Sequence, residues 1–215
     1  MIRPTAYFDL DGCLVDSRLP IGEAIDETLS AFGVAPLRPG EVDAHIGPPI
    51  VEAFTALLAA RGIESARAPE FTRAFRERYG PLSLVKTTLV PGIAGVLERL
   101  MEVADLLVVT SKAKHLAEPI LDELRVRACF GKVFGPAADA LDEPKATTLR
   151  RARAGRAASP ADAMIGDRSH DVLAGRENGM RTIGVTWGIG SRSELELAGA
   201  SVIIDYPEAL LPLFS

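Results

Sequence analysis

Tyr7-Phe8-Asp9-Leu10-Asp11-Gly12-Cys13-Leu14 places two carboxylates two residues apart, directly after a short apolar run. In extended backbone, positions i and i+2 point the same way, roughly 6–7 Å apart. Like charges on one side of a strand end repel, so stability alone does not account for the pair. They make sense where one attacks an electrophile, the other handles protons and a cation neutralises both. Gly12 lets the backbone turn sharply and leaves room for a ligand. The plainer alternative is a strand followed by an acidic turn, since Asp and Gly are common turn residues. The rest of the chain decides between the two.

Further short apolar runs, continuous rather than alternating, read as buried parallel strands. They are Thr5–Phe8, Asp105–Val109, 163–165, 182–185 and Val202–Ile204, with Lys132–Phe134 a weaker candidate. Helical stripes lie between most of them. Ile93, Val96, Leu97, Leu100 and Met101 follow a 3.6-residue period, as do Leu116, Ile120, Leu121 and Leu124. Strands alternating with helices predict an α/β fold, a doubly wound parallel sheet covered on both faces.

Residues 16–85 break the alternation with three amphipathic stripes and no convincing strand. Ile21, Ala24, Ile25, Leu29 and Phe32 form the first, ending before Gly33. Val51, Phe54 and Leu58 form the second, ending before Gly62. Phe71, Ala74, Phe75 and Tyr79 form the third, closed by Gly80. Each glycine stands where a helix needs a left-handed cap. The expected organisation is a catalytic core of residues 1–15 and 86–215 with an inserted helical cap of residues 16–85. Ligands of open α/β sheets bind beyond the carboxyl ends of the strands. Asp9, Asp11 and the insertion all fall there.

The composition is that of an ordinary globular chain: 215 residues, 47% hydrophobic and 25% charged. A net charge of −5 argues against non-specific nucleic-acid binding. Arg150, Arg151, Arg153 and Arg156 read as a solvated helix face. Cys13 and Cys129 form no disulfide or zinc pattern, which fits a reducing compartment. No secretory signal and no membrane-spanning run is evident, and a cytoplasmic location is expected.

Three later segments add chemistry. Val109-Thr110-Ser111-Lys112 ends a strand with hydroxyls and backbone N–H groups suited to a phosphate oxygen, or to an ordinary helix cap. Asp142-Glu143-Pro144-Lys145 opens a helix with a lysine that matters only if it faces acids. Gly166-Asp167-Arg168-Ser169-His170-Asp171 supplies them, with Asp167 ending a strand and Asp171 one turn later. Asp9, Asp11, Asp167 and Asp171 gathered at one sheet edge would need a hard dication, and oxygen ligands with retained waters fit Mg²⁺ best. Lys145 would offset the remaining charge and contact a transferring phosphoryl group.

Taken together, these motifs make the chain resemble the haloacid dehalogenase superfamily, in its phosphoglycolate-phosphatase-like branch with a helical cap. Asn178-Gly179-Met180 and the inserted Ile46-Gly47-Pro48-Pro49 also fit, and the likeness covers essentially the whole chain. The resemblance implies a Rossmann-like core and a Mg²⁺-dependent phosphatase acting on a small phosphorylated metabolite. It implies Asp9 as nucleophile and Asp11 as general acid and base. Asp9, Asp167 and the backbone carbonyl of Asp11 would hold the metal, with Asp171 supporting. Thr110, Ser111 and Lys145 would hold the phosphoryl oxygens. Cys13 departs from the family's usual threonine, removing a hydroxyl but no catalytic group, and a packing role is expected for it. His45, His115 and His170 read as structural or solvated, and Gly188-Ile189-Gly190 is an incomplete dinucleotide loop. A phosphomutase is the alternative within the superfamily, and a receiver-type signalling module the remote one. The substrate stays open among phosphoglycolate, sugar phosphates, nucleotides and pyrophosphate. Arg76 and Arg78 are candidates for holding a substrate carboxylate.

Overall fold

The computed structural model describes residues 2–140 and 143–214, so Asp142 of the lysine motif lies outside the described residues. The strands are β1 (Thr5–Phe8), β2 (Val15–Asp16), β3 (Thr88–Leu89), β4 (Asp105–Val109), β5 (Lys132–Phe134), β6 (Ala163–Gly166), β7 (Arg181–Val185) and β8 (Val202–Ile204). Six of them form a parallel sheet in the order β5-β4-β1-β6-β7-β8. The chain builds outward from β1 on one side, returns to lay β6 on the other, and builds outward again. This is the doubly wound order, and its direction reverses between β1 and β6.

The apolar runs are continuous because both faces of the sheet are covered. Ala6, Phe8, Leu106, Val108, Ala163 and Ile165 belong to one core cluster. Their alternating neighbours Tyr7, Leu107, Val109 and Met164 belong to another. The helices are α1 (Arg18–Ala31), α2 (Ile50–Ala60), α3 (Ala68–Lys86), α4 (Ile93–Val103), α5 (Lys114–Glu123), α6 (Lys145–Arg153), α7 (Ser169–Glu177) and α8 (Arg192–Ala198). Ile93, Val96, Leu97 and Leu100 of α4 pack with the first cluster, and Ala146, Leu149 and Ala152 of α6 with the second.

The inserted helices α1, α2 and α3 have a core of their own. Ile25, Leu29, Phe54, Leu58, Phe71 and Phe75 anchor it, and Ile120 of α5 joins it. Phe32 stacks on Phe71 with ring centroids 4.2 Å apart. Gly33 and Gly62 follow α1 and α2 with φ of 68° and 70°, the left-handed geometry expected of them.

Gly80 does not close the third helix as the sequence predicts, because α3 continues through Gly80 and Pro81 to Lys86. Tyr79 and Ser83 are buried one turn apart on the same face, so packing carries the helix past the proline. Pro81 sits on the exposed side, and Ser83 Oγ donates to the Gly80 carbonyl at 2.8 Å. The antiparallel ribbon of β2 with β3 was not anticipated either. Its two-residue strands are too short to leave a pattern, and they join the points where the chain leaves and re-enters the α/β core. The arginines in and just after α6 do more than meet solvent: Arg151 pairs with Glu143, Arg153 donates to the Asn178 carbonyl, and Arg156, beyond the helix end, reaches Asp105.

Candidate active site

The reversal between β1 and β6 assembles the acidic groups. Parallel pairing sets Phe8 against Ile165, and the Asp9 amide donates to the Ile165 carbonyl at 2.8 Å. Asp9 and Asp167 thereby leave adjacent strand ends. Gly12, at φ +85°, turns the chain away beneath them. A Cβ there would come 2.7 Å from Asp167 Cγ, so only glycine permits this approach.

Asp171 sits in the first turn of α7. Its Oδ2 accepts from the Arg168 amide at 3.0 Å, forming a capping box, while its Oδ1 lies 2.5 Å from Lys145 Nζ. The helix-cap reading of Asp171 and its membership of the acidic cluster therefore both hold. Lys145, first residue of α6, also stands 2.8 Å from Asp9 Oδ1. Asp167 Oδ2 accepts from the Ile189 and Gly190 amides at 2.7 and 3.4 Å. The 188–190 loop is thus a carboxylate clamp, a use its glycines alone did not announce.

Whether these groups suit a metal follows from what they lack. Asp9, Asp167 and Asp171, all buried, offer carboxylate oxygens within 4.8 Å of one another. Asp9 Oδ2 and Asp167 Oδ1 are buried without a hydrogen-bond partner among the described residues. One lysine facing three carboxylates leaves two negative charges uncompensated, which a buried site does not tolerate. Burial pushes the Asp9 carboxyl well above its ordinary pKa, with Asp171 and Asp167 adding to the effect against the pull of Lys145. Burial, then repulsion from Asp171, raises Asp167 to about 6. Lys145 is kept charged: burial works against it, but Asp171 and Asp9 outweigh that and raise its pKa. An all-oxygen set with orphaned anionic atoms fits a small hard dication.

Asp11 faces a different set of partners. Its Oδ1 accepts from Ser17 Oγ at 2.6 Å and pairs with Lys112 Nζ at 2.7 Å. Its carboxylate is not among the three clustered acids. Thr110 Oγ1 accepts from the Lys112 amide at 3.1 Å. Thr110 and Ser111 share with Asp9 and Asp11 the floor of a cleft. Ile46, Pro48, Phe75 and Tyr79 of the inserted segment roof it.

Sequence points to no functional role for Lys112, Tyr79 or His45, yet all three line this cleft. In sequence, Lys112 is only the last residue of Val109-Thr110-Ser111-Lys112. Tyr79 looked like one more apolar stripe position, and only its hydroxyl hinted otherwise. His45 is buried with Nε2 unpartnered among the described residues, and burial lowers its pKa. Arg76 also lines the cleft but donates to the Ala138 and Ala140 carbonyls at 2.7 and 3.2 Å, while Arg78 turns back to the Ala74 carbonyl. Cys13 is fully buried in the sheet core, and burial raises its thiol pKa well above normal, opposite to what a reactive thiolate needs.

Comparison with known proteins places the chain in one family. Residues 6–185 match the family model described as haloacid dehalogenase-like hydrolase. A 5'-nucleotidase of Pseudomonas aeruginosa is 33% identical over 89% of this chain and 86% of its own length. A phosphoglycolate phosphatase of Chromobacterium violaceum is 31% identical over 87% of each. The crystal structure of a predicted phosphatase from Clostridium acetobutylicum superposes with a TM-score of 0.88 at 27% identity, covering 99% of this chain and 98% of that one. With its motifs converging at the reversal of a six-stranded doubly wound sheet, the chain belongs to the haloacid dehalogenase-like hydrolases.

Proposed function

We propose that this protein is a phosphoric monoester hydrolase that carries the phosphoryl group on Asp9. The observation that supports it most is the placement of Asp9, with Oδ2 unpartnered among the described residues, beside Asp167, Asp171 and Lys145 at the sheet reversal. Relatives of similar length named 5'-nucleotidase and phosphoglycolate phosphatase support the same class.

In this reading an Asp9 carboxylate oxygen attacks phosphorus and the ester P–O bond breaks. Asp11 gives its proton to the departing alcohol oxygen, then takes one from the water that hydrolyses the phospho-aspartate, releasing inorganic phosphate. Thr110 Oγ1, the Ser111 amide and Lys145 hold the non-bridging oxygens, where negative charge must be met by fixed donors. Asp9, Asp167 and the Asp11 main-chain carbonyl would hold Mg²⁺, with Asp171 supporting them. When bound, the metal supplies positive charge that keeps Asp9 ionised and screens the phosphoryl oxygens from it.

Residues 16–85 are the cap in this scheme and residues 1–15 and 86–215 the catalytic core. The cap roof over Asp9 and Asp11 would exclude bulk water and select the alcohol. Among the described residues no helix is long and apolar enough to cross a membrane, and the reading calls for a small phosphorylated metabolite as substrate.

Phosphate release over a panel of metabolites with Mg²⁺ tests the proposal, the panel including phosphoglycolate and nucleoside monophosphates. Asp9→Asn should lose turnover on every substrate, because an amide cannot attack; retained turnover would refute the scheme. A hexose phosphate whose phosphoryl group reappears on another carbon, without free phosphate, would indicate a phosphomutase instead.

A further inference from the structure

We infer that Lys112 is a positioning residue: it orients Asp11 for proton transfer and, through Tyr79, makes that orientation depend on α3 being seated over the cleft. The inference rests on the phospho-aspartate reading above. Lys112 Nζ and Asp11 Oδ1 are 2.7 Å apart, with side chains 8% and 11% exposed. The second partner of the ammonium is the Tyr79 hydroxyl on α3, and it also stands 4.5 Å from the centroid of that ring. Tyr79 is itself fixed, stacked on Phe75 with centroids 5.2 Å apart inside the core of the inserted helices.

Both side-chain donors to Asp11, Ser17 and Lys112, fall on Oδ1. Among the described residues Oδ2 is therefore the oxygen available to exchange a proton with a leaving group. Lys112 is anchored at its backbone too, through its amide to Thr110 Oγ1. One lysine thus joins the phosphate-side loop, the proton-transfer carboxylate and a helix from the inserted segment. With α3 lifted, the ammonium loses its phenol and gains water, and of the two donors that define the Asp11 rotamer only Ser17 keeps its place. A misplacement of about 1 Å at such a group costs on the order of 10²-fold in rate.

The test uses the full chain with Mg²⁺ and three aryl phosphates: phenyl, para-chlorophenyl and para-nitrophenyl. Their kcat/KM values report every step up to departure of the alcohol. Phenolate needs the Asp11 proton to leave and para-nitrophenolate does not. Lys112→Met is expected to lower kcat/KM for phenyl phosphate by about 10²-fold and for para-nitrophenyl phosphate by less than about threefold. Tyr79→Phe, which keeps the ring packed, should steepen the leaving-group dependence by a smaller factor, and Lys112→Arg should restore part of it. Equal losses on all three esters in Lys112→Met would overturn the proposal. Should that variant not fold, an unchanged slope in both Tyr79→Phe and Lys112→Arg would do the same. Failure of the phosphatase reading looks different: no phosphate released by the wild-type protein, or turnover surviving in Asp9→Asn.

Discussion

Gly12 and Asp167, 155 positions apart in the chain, approach so closely that a Cβ on the glycine would lie 2.7 Å from the carboxylate carbon. The glycine is also in the left-handed region, at φ +85°. Gly12→Ala therefore meets two costs at once, about 1–2 kcal/mol of backbone strain and displacement of a buried acid. The expected outcome is a melting temperature lowered by several degrees and phosphate release reduced by at least an order of magnitude. Calorimetry and a phosphate assay check it; a variant with wild-type melting and turnover would contradict it.

Among the described residues Lys145 is the one side-chain cation paired with Asp9 and Asp171. Lys145→Met removes it and leaves three buried carboxylates facing one another. Breaking a buried ion pair from one side costs about 3–5 kcal/mol. Urea unfolding without metal should show a loss of that size, and Mg²⁺ should recover part of it by binding the folded state alone. A loss that is small and indifferent to Mg²⁺ would mean the cluster is not organised by charge.

The raised pKa of Asp167, about 6, sets a pH dependence for the metal-free protein. The unfolded value is near 3.9. A group raised on folding contributes stability that is complete below about 3.9 and lost as pH climbs through about 6. Asp167→Asn cannot ionise, so it should gain on the metal-free wild type between pH 4 and pH 7, by roughly 2–3 kcal/mol. Denaturant midpoints of the two proteins at both pH values, with chelator present, measure this. A gap that stays constant with pH would count against the burial argument.

In the inserted segment, Glu41 behaves in the opposite sense. Its hydrogen bonds from Arg61 and the Arg38 amide lower its pKa to about 2. Arg61 grips both carboxylate oxygens, at 3.1 and 3.0 Å, with the two side chains 12% and 21% exposed. A depressed pKa contributes stability above the unfolded value near 4.3 that disappears as pH falls toward about 2. Glu41→Gln should therefore be less stable than wild type at pH 6, by about 1 kcal/mol after solvent screening, with the gap closing by pH 2.5. Thermal melts across that range decide it.

The six strands of the parallel sheet were legible because their apolar runs are continuous, as runs covered on both faces are. Asp9, Asp11, Asp167 and Lys145 were legible for a related reason. They sit at strand ends or helix starts, positions that short-range patterns locate, and their motifs stand in an order that few other arrangements share. The end of α3 was not legible, since Gly80-Pro81 is locally a helix stop and only the burial of Tyr79 and Ser83 overrides it.

Chain order and residue type settled which acids could meet. Pairing between distant segments settled how they meet: Lys112 with Tyr79, the 188–190 amides on Asp167, and Asp11 turned to Ser17 and Lys112 while Asp171 joins Asp9. Periodicity reports which face of an element is apolar, but not which oxygen of a carboxylate finds which donor. Such a choice depends on distances of a few ångströms between elements far apart in the chain, and those exist only once the sheet has closed around them.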